Sequence, residues 1–435
     1  MIPLPLDEVA GVAPGRLARA PRSETATGVV IDSRRVAPGD LFVAVGRGID
    51  YLTEARDRGA AATLVPDDAF AALAALAQAV RSRSSARLVA VTGSVAKTTT
   101  KDILGALCAP LAPTIVAEGS QNNEIGLPLT LCRIEPETRV VVVEMGMRGL
   151  GQIAELCEIA RPEVGVVTSV GPVHLELLGT VERVAQAKAE VLTSLPPGGA
   201  AVVPAGERLL EPYLRDDVRT YRFGPGGDVT LAAYRPHAGG AVVEADAFGE
   251  RVELEFSFGS RHNAQNVLAA LAAYQALGFP LSEAHRGAPD ARLSRWRGEE
   301  SPLPGGGLLI NDAYNANPVS MAAALDHLGD RAGDRRKVAV LGDMAELGPD
   351  APSYHLEVGA AARRAGVEAL VGVGPLARGY LEGGEGIPVT RWAPDTDSGI
   401  AALHEILEPG DCVILKGSRS MGLEAIAEAL AVVAA

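Results

Sequence analysis

Three absences narrow the classes of protein to which this 435-residue chain can belong. It has only four cysteines, scattered along the sequence, which excludes a disulfide framework and paired metal spacing and favours a reducing cytoplasm. It has no excess of positive charge, and the formal net charge of -14 argues against nucleic acid as a partner. It has no apolar run long enough to span a bilayer and no signal-peptide pattern in its first residues, so we expect a protein that is not embedded in a membrane.

Lysine is also scarce. Of the 40 lysines and arginines, only those at positions 97, 101, 188, 337 and 416 are lysines. Arginine has been accepted wherever a generic positive charge suffices. A remaining lysine therefore indicates a place that needs a compact ammonium or a deprotonatable amine, although surface lysines also persist by chance.

What the chain does have is a repeated alternation of strand-like and helix-like segments. Its length is too great for one core, and about 100 to 200 residues per domain predicts three domains. We place them at 1–87, 88–295 and 296–435. We predict an α/β fold class, with a small N-terminal α/β domain, a central mainly parallel sheet like that of P-loop ATPases, and a C-terminal doubly wound, Rossmann-like domain.

A candidate phosphate-binding loop follows the apolar segment 88–90. Its sequence is Val91-Thr92-Gly93-Ser94-Val95-Ala96-Lys97-Thr98-Thr99. A strand that turns into a helix here leaves unpaired backbone N–H groups for a polyphosphate. Lys97 would contact the terminal phosphates and the Thr98 hydroxyl would bind magnesium. Because Ala96 replaces the consensus glycine, the match is partial, and an ordinary strand-to-helix turn remains an alternative.

Two further polar residues follow predicted strands of the same sheet. Glu144 ends the apolar run 140–143, and His174 follows the run 164–167. The carboxyl ends of parallel strands form the ligand-binding edge of a sheet, so Glu144 could hold the metal of a nucleotide there, with His174 beside it. A structural carboxylate and a hydrogen-bonded structural histidine are the alternatives.

Lys188 lies on the apolar face of the predicted helix 181–192. Burial lowers the pKa of a lysine, and the neutral amine can react with carbon dioxide to give a carbamate suited to bridging magnesium. Arginine could not do this. A lysine that extends to solvent is the alternative.

Several polar loops complete the set of candidates. The residues concerned are Ser33 and Arg34 between two strands, Asn122 and Asn123 before a helix, Asn263 and Asn266 at a helix start, and Tyr314, Asn315 and Asn317 after a strand. Such groups bind polar substrates, anions or an adenine edge. Helix capping, turns or an exposed hairpin loop explain them nearly as well.

Nine stretches together resemble those of the Mur ligases of peptidoglycan synthesis: TGSVAKTTTK, NNEIGLPLTL, VVVEMGMRGLGQIAEL, TSVGPVHLELLG, AQAKAEVL, RHNAQNVLAAL, INDAYNANPVSM, VLGDMAELG and LKGSRSMGLE. The resemblance spans nearly the whole chain. It implies a monomeric, cytoplasmic, ATP- and Mg²⁺-dependent amide ligase. Its implied reaction joins D-alanyl-D-alanine to UDP-N-acetylmuramoyl-tripeptide through an acyl phosphate.

The resemblance also implies roles for individual residues. The implied catalytic residues are Lys97, Glu144, His174 and Lys188, and the implied metal ligands are Thr98, Glu144, His174 and carbamylated Lys188. The implied ATP-binding residues are Gly93, Ser94, Val95, Ala96, Lys97, Thr98, Thr99, Asn263, Asn266, Arg297 and Asp312. The implied substrate-binding residues are Ser33, Arg34, Asn122, Asn123, Tyr314, Asn315 and Asn317.

Two other classes of function stay open at this point. A P-loop binding or switch protein would have the nucleotide site without a second substrate. A related amide ligase, such as folylpolyglutamate synthetase or the preceding Mur enzyme, would share the central domain. The sequence leaves open whether the tripeptide ends in diaminopimelate or lysine.

We predict that Lys188→Arg abolishes ligation and leaves the fold intact, because arginine keeps the positive charge but forms no carbamate. Product formation and circular dichroism measure the two outcomes. Activity of Lys188→Ala restored by a small carboxylic acid would support the carbamate, whereas full activity of Lys188→Arg would exclude it.

Overall fold

A computed structural model describes residues 1–237 and 239–433 of the chain. These residues form an α/β structure with sheets of two, four, nine and six strands. The four-stranded sheet lies in the N-terminal segment, the nine-stranded sheet in the middle and the six-stranded sheet in the C-terminal segment. The predicted fold class is confirmed, while the proposed boundaries at 87 and 295 remain predictions. Among the described helices, none has the length and apolarity to cross a bilayer.

The N-terminal segment contains a short two-stranded pairing and a four-stranded sheet in the order β2-β6-β5-β4. Its elements are β1 (Leu4–Pro5), α1 (Leu6–Val12), β2 (Gly15–Arg19), β3 (Thr25–Ala26), β4 (Gly28–Val30), β5 (Asp40–Val43), α2 (Leu52–Asp57), β6 (Ala62–Pro66) and α3 (Ala69–Ser82). Strands β4 and β5 are parallel, so the alternative of a simple hairpin between them is wrong.

The middle segment forms the nine-stranded sheet, in the order β15-β14-β13-β12-β11-β10-β7-β9-β8. Its elements are β7 (Arg87–Thr92), α4 (Lys97–Cys108), β8 (Thr114–Val116), α5 (Gly126–Leu131), β9 (Val140–Glu144), α6 (Gln152–Ala160), β10 (Val164–Val167), α7 (Leu175–Leu178), α8 (Val181–Thr193), β11 (Ala200–Pro204), β12 (Arg219–Phe223), β13 (Val229–His237), β14 (Gly240–Ala247), β15 (Glu250–Phe256) and α9 (Asn263–Ala276). Strands β7 to β12 are parallel to all their neighbours, whereas β13 is parallel to β12 but antiparallel to β14, which is in turn antiparallel to β15.

The C-terminal segment forms the six-stranded sheet, in the order β16-β17-β21-β18-β19-β20, with only β16 antiparallel. Its elements are β16 (Glu299–Leu303), β17 (Gly307–Asn311), α10 (Pro318–Ala332), β18 (Lys337–Gly342), α11 (Ala351–Arg364), β19 (Ala369–Val373), α12 (Arg378–Gly383), β20 (Val389–Ala393), α13 (Thr396–Ile406), β21 (Cys412–Lys416) and α14 (Glu424–Val433). Strands β16 and β20 form the two edges of this sheet.

The strand order of the central sheet positions the functional loops. β7 lies between β9 and β10, and all three run parallel as buried apolar strands. In register, Val91 is paired with Glu144 on one side and with Val166 on the other. The loops that follow these three strands therefore leave the sheet at one edge.

Arg81 connects the N-terminal segment to the central sheet. It lies in the last turn of α3 and is 7% exposed. Its guanidinium donates to the carbonyl oxygens of Ala160 and Ala86 at 2.9 and 3.1 Å and to the Glu163 carboxylate at 3.0 Å. Glu163 in turn accepts the N–H of Leu88, at the start of β7. These acceptors therefore hold the guanidinium between α3 and the central sheet.

We predict that Arg81→Ala lowers the free energy of unfolding by about 3 kcal/mol, because it leaves buried carbonyl groups and a carboxylate without their donor. Urea unfolding measures the change. Arg391→Ala is the matched control, since Arg391 is half exposed and its nearest carboxylate, on Glu405, is 3.7 Å away. Equal effects of the two substitutions would contradict the structural role of Arg81.

Candidate active site between the central and C-terminal sheets

A cavity of about 1140 Å³ lies where the loops of the central and C-terminal sheets face each other. It brings together nearly all of the candidate residues. Those that line it are Ser94, Val95, Ala96, Lys97, Thr98, Thr99, Asn122, Asn123, Glu144, His174, Lys188, Asn263, Asn266, Arg297, Asp312, Tyr314, Asn315 and Asn317. Gly93, Ser33 and Arg34 are not among the lining residues.

The phosphate loop turns from β7 into α4. Gly93 has φ +149°, and a Cβ there would lie 1.9 Å from Thr168 Oγ1, so only glycine fits. Ala96 precedes the helix with φ +67°, the left-handed conformation that the missing consensus glycine would adopt without strain. The first-turn N–H groups of α4 therefore face the cavity as they do in phosphate loops.

Lys97 is the first residue of α4, and its Nζ donates to the carbonyl oxygen of Gly93 at 2.8 Å. Burial lowers the pKa of this ammonium, and nearby Glu144 partly opposes the shift. A polyphosphate bound here would add negative charge and favour the charged form.

Glu144 is the buried carboxylate of the site, at 1% exposure. It is the last residue of β9, and its Oε2 accepts a hydrogen bond from Thr98 Oγ1 at 2.6 Å. Its Oε1 accepts from Asn122 Nδ2 at 2.7 Å. Asn122 thus holds the carboxylate in place, a role that the sequence does not reveal.

Lys188 is 2% exposed on α8. Within the described part of the chain, its ammonium has no hydrogen-bond or ion-pair partner. Burial lowers its pKa well below the usual value, and the charge of Lys97 adds to the shift. The alternative of a lysine that reaches bulk solvent is wrong, because the side chain is almost completely buried and lines the cavity. A neutral amine in this position is suited to carbamate formation.

His174 precedes α7 with φ +53°, and its Nδ1 lies 2.5 Å from Glu346 Oε2 in the C-terminal segment. Burial lowers the pKa of the imidazole, and the contact with Glu346 opposes this shift. His174 is therefore fixed across the interface between the two sheets.

Arg297 approaches the phosphate loop from the C-terminal side. Its Nη2 donates to Thr98 Oγ1 at 2.7 Å, and its guanidinium carbon lies 4.1 Å from the ring centre of Tyr314. Its buried Nε has no hydrogen-bond partner in the part of the chain that the structure describes. The Arg297 guanidinium therefore lines the cavity with one donor still unpaired. Such a group is suited to binding an anionic ligand.

Asp312 and Lys416 form an ion pair at 2.6 Å on the same side of the cavity. Lys416 Nζ also donates to the carbonyl oxygen of Asn315 at 3.0 Å. The pair connects the ends of β17 and β21 and fixes the loop that carries Tyr314.

Four asparagines have local partners that the sequence left open. Asn266 Nδ2 donates to Asn263 Oδ1 at 2.8 Å, and the two lie in the first turn of α9 without capping it. Asn123 Oδ1 accepts the N–H of Gly126 at 3.0 Å, and Asn317 caps α10. Their roles toward ligands stay predictions.

Ser33 and Arg34 lie outside the cavity, on the N-terminal segment. Ser33 donates to Glu54 at 2.9 Å, and Arg34 makes a two-point contact with Asp32 at 2.9 and 2.7 Å. The hydrogen bonds from Arg34 hold the pKa of the Asp32 carboxyl at about 2. Any ligand held by these residues would extend beyond the cavity.

The donor set of the cavity fits magnesium in part. The described residues contain no group of three or more His, Cys, Asp and Glu side chains placed to hold a metal. Thr98 and Glu144 supply oxygen atoms, which Mg²⁺ prefers, and it usually keeps waters and phosphate oxygens as well. Carbamylation of Lys188 would add two oxygens where the chain otherwise offers an amine.

Several lining residues are absent from the predicted set, among them Lys416, Glu346 and His262. Lys416 and Glu346 lie in the loops after β21 and β18, and the position of each loop after a strand was the available signal. His262 lies just before α9, and burial lowers its pKa to about 4. A histidine kept neutral in this way gave no signal in the sequence.

We predict that Ala96→Gly raises the free energy of unfolding by about 1 kcal/mol, because glycine adopts the left-handed conformation without a Cβ clash. Thermal unfolding measures the change. Ala106→Gly is the matched control in the interior of α4, where glycine should destabilise the helix. A loss of stability in both variants would contradict the strain at Ala96.

Two family models match parts of this chain. Residues 91–274 match the Mur ligase middle domain, and residues 296–419 match the Mur ligase, glutamate ligase domain. The UDP-N-acetylmuramoyl-tripeptide--D-alanyl-D-alanine ligase of Synechocystis is 33% identical, over 92% of this chain and 91% of the relative. The enzyme of the same name from Bacillus subtilis is 31% identical, over 99% of both.

Solved structures give the same result. MurF from Acinetobacter baumannii superposes with a TM-score of 0.86 at 26% identity, over 98% of both chains. MurF ligase from Thermotoga maritima, in complex with ADP, superposes with a TM-score of 0.79 at 28% identity, over 92% of this chain and 96% of that one. Given this agreement along nearly its whole length, the chain belongs to the Mur ligase family.

Proposed function

We propose that this protein is an ATP-dependent ligase that joins D-alanyl-D-alanine to UDP-N-acetylmuramoyl-tripeptide in peptidoglycan synthesis. One observation carries the proposal: a single cavity combines a phosphate loop and a buried carboxylate of the central sheet with an arginine from the C-terminal segment. The names of the full-length relatives supply the two substrates. The ADP complex of the Thermotoga relative supplies the nucleotide.

In the first step, the terminal carboxylate of the tripeptide attacks the γ-phosphorus of ATP. The bond from that phosphorus to the β–γ bridging oxygen breaks, and an acyl phosphate and ADP form. The N–H groups at the start of α4 and the Lys97 ammonium hold the phosphates, and the free Nε of Arg297 donates to them. These donors stabilise charge as it shifts and transfer no proton.

In the second step, the amine of the dipeptide attacks the acyl carbon. A tetrahedral intermediate forms, and phosphate leaves as the amide is made. The acceptor would enter from the C-terminal side, between the loop that carries Tyr314 and the loops after β18 and β21. Closure of the two sheets excludes water, which would otherwise hydrolyse the acyl phosphate.

Magnesium, when bound, supplies positive charge that draws the carboxylate and phosphate oxygens together. Thr98, Glu144 and His174 would hold it with carbamylated Lys188. The carbamate forms when the neutral Nζ of Lys188 attacks carbon dioxide and loses a proton. Among the described residues no carboxylate lies within ion-pair distance of this amine, and its burial beside Lys97 supports that modification.

The remaining substrate contacts extend the site. Asn263 and Asn266 would bind adenine, Asp312 the nucleotide, and Asn122, Asn123, Tyr314, Asn315 and Asn317 the peptide substrates. Ser33 and Arg34 would contact the uridine diphosphate end of the long tripeptide substrate, which reaches from the cavity to the N-terminal segment. We further propose that the protein acts as a monomer in the cytoplasm.

The test is incubation of the protein with ATP, Mg²⁺, UDP-N-acetylmuramoyl-tripeptide and D-alanyl-D-alanine. We expect phosphate release that depends on both the tripeptide and the dipeptide, with a product whose mass equals their sum less one water. Parallel reactions offer diaminopimelate with the UDP-dipeptide precursor, or glutamate with a folate, as acceptor pairs. Product from one of those pairs alone would identify a different ligase, and no product from any pair would favour a nucleotide-binding protein.

A further inference from the structure

We propose that Glu346 is a positioning residue that fixes the ring orientation and the tautomer of His174 across the interface between the central and C-terminal sheets. The inference rests on the proposed function only in that His174 faces bound nucleotide in the cavity. Glu346 itself holds no ligand in this proposal and acts through the imidazole.

The two oxygens of the Glu346 carboxylate contact two different residues of the central segment. Oε2 of Glu346 lies 2.5 Å from Nδ1 of His174, and Oε1 lies 3.7 Å from Nε of Arg148. Arg148 follows β9, and His174 follows β10. One side chain from the loop after β18 therefore joins the two central loops that lie beyond Glu144 and around His174.

The backbone is built for this contact. His174 and Glu346 have φ of +53° and +61°, a conformation that residues other than glycine rarely adopt. The N–H of Glu176 donates to the carbonyl oxygen of Glu346 at 3.4 Å, and a Cβ at Gly348 would lie 3.3 Å from Glu176 Cα. Strained residues on both sides thus meet where the two backbones approach closely.

The chemistry of the pair determines which ring nitrogen is free. An ionised carboxylate only accepts hydrogen bonds, so the His174 nitrogen that contacts it must carry the proton. Nε2 is then the nitrogen left with a lone pair for a ligand. Histidines that bind metals are held in this way by a second partner, which fixes both the tautomer and the ring.

The position of Glu346 in the chain adds a consequence. Glu346 belongs to the C-terminal segment. Its contact with His174 therefore forms only when the C-terminal sheet is docked on the central sheet. Arg297 approaches the phosphate loop from the same segment. Docking therefore completes the nucleotide site at two points, which limits phosphoryl transfer to the enclosed state.

The test compares Glu346→Ala and Glu346→Gln with Glu408→Ala as the matched control. Glu408 is also an ion-paired glutamate of the C-terminal segment, with Arg336 at 2.8 Å, but it is exposed and lies outside the cavity. The first readout is nitrogen NMR of ¹⁵N-histidine-labelled enzyme with Mg²⁺ and a non-hydrolysable ATP analogue. We expect the Nδ1–H tautomer of His174 in the unsubstituted protein, in Glu408→Ala and, since the amide oxygen still accepts, in Glu346→Gln.

In Glu346→Ala we expect that signature to be lost, and kcat to fall about 10- to 100-fold with little change in the KM for ATP. Glu346→Gln should lose less activity than Glu346→Ala. Retention of the Nδ1–H tautomer in Glu346→Ala, or equal kcat in the Ala, Gln and unsubstituted proteins, would overturn the proposal. The NMR readout needs no ligation, so absence of the peptide product in the unsubstituted protein would refute the proposed function alone.

Discussion

The site depends on one constraint of the central sheet, the parallel alignment of β9, β7 and β10 as neighbours. Their register places the last residue of β9 beside the segment that leads into the phosphate loop. The hydrogen bond between Thr98 and Glu144 then joins the first turn of α4 to the end of β9, two positions that lie far apart in the chain. Because the strands are buried and apolar, this alignment cannot slip without exposing the core.

A second feature is the uneven distribution of charge inside the cavity. Lys188 is buried and Lys97 is half-buried near it, and neither has a carboxylate within ion-pair distance among the described residues. Such an arrangement costs desolvation free energy and is stabilised by negative charge from outside the chain. A polyphosphate bound in the cavity, as proposed, would supply that charge, and so would the proposed carbamate on Lys188.

The C-terminal sheet contributes groups that approach the central loops rather than a separate site. Arg297 contacts Thr98, and Glu346 contacts His174. The N-terminal segment, in contrast, packs its helix α3 on α5 and α6 of the central unit and shares a hydrophobic core with one face of the central sheet. Its Ser33 and Arg34 lie outside the cavity, so the groups that line the cavity come from the central and C-terminal segments.

The sequence by itself determined the fold class, the strand-to-helix turn before Lys97 and the polar residues that follow β9 and β10, because apolar periodicity and loop composition are local properties. It also pointed to Lys188 through the scarcity of lysine. Only the tertiary structure decided that Asn122 holds Glu144, that Arg81 is a buried connector and that Glu346 meets His174. Those contacts join residues 22, 82 and 172 positions apart, and such pairings follow from strand order and the docking of sheets rather than from any local pattern.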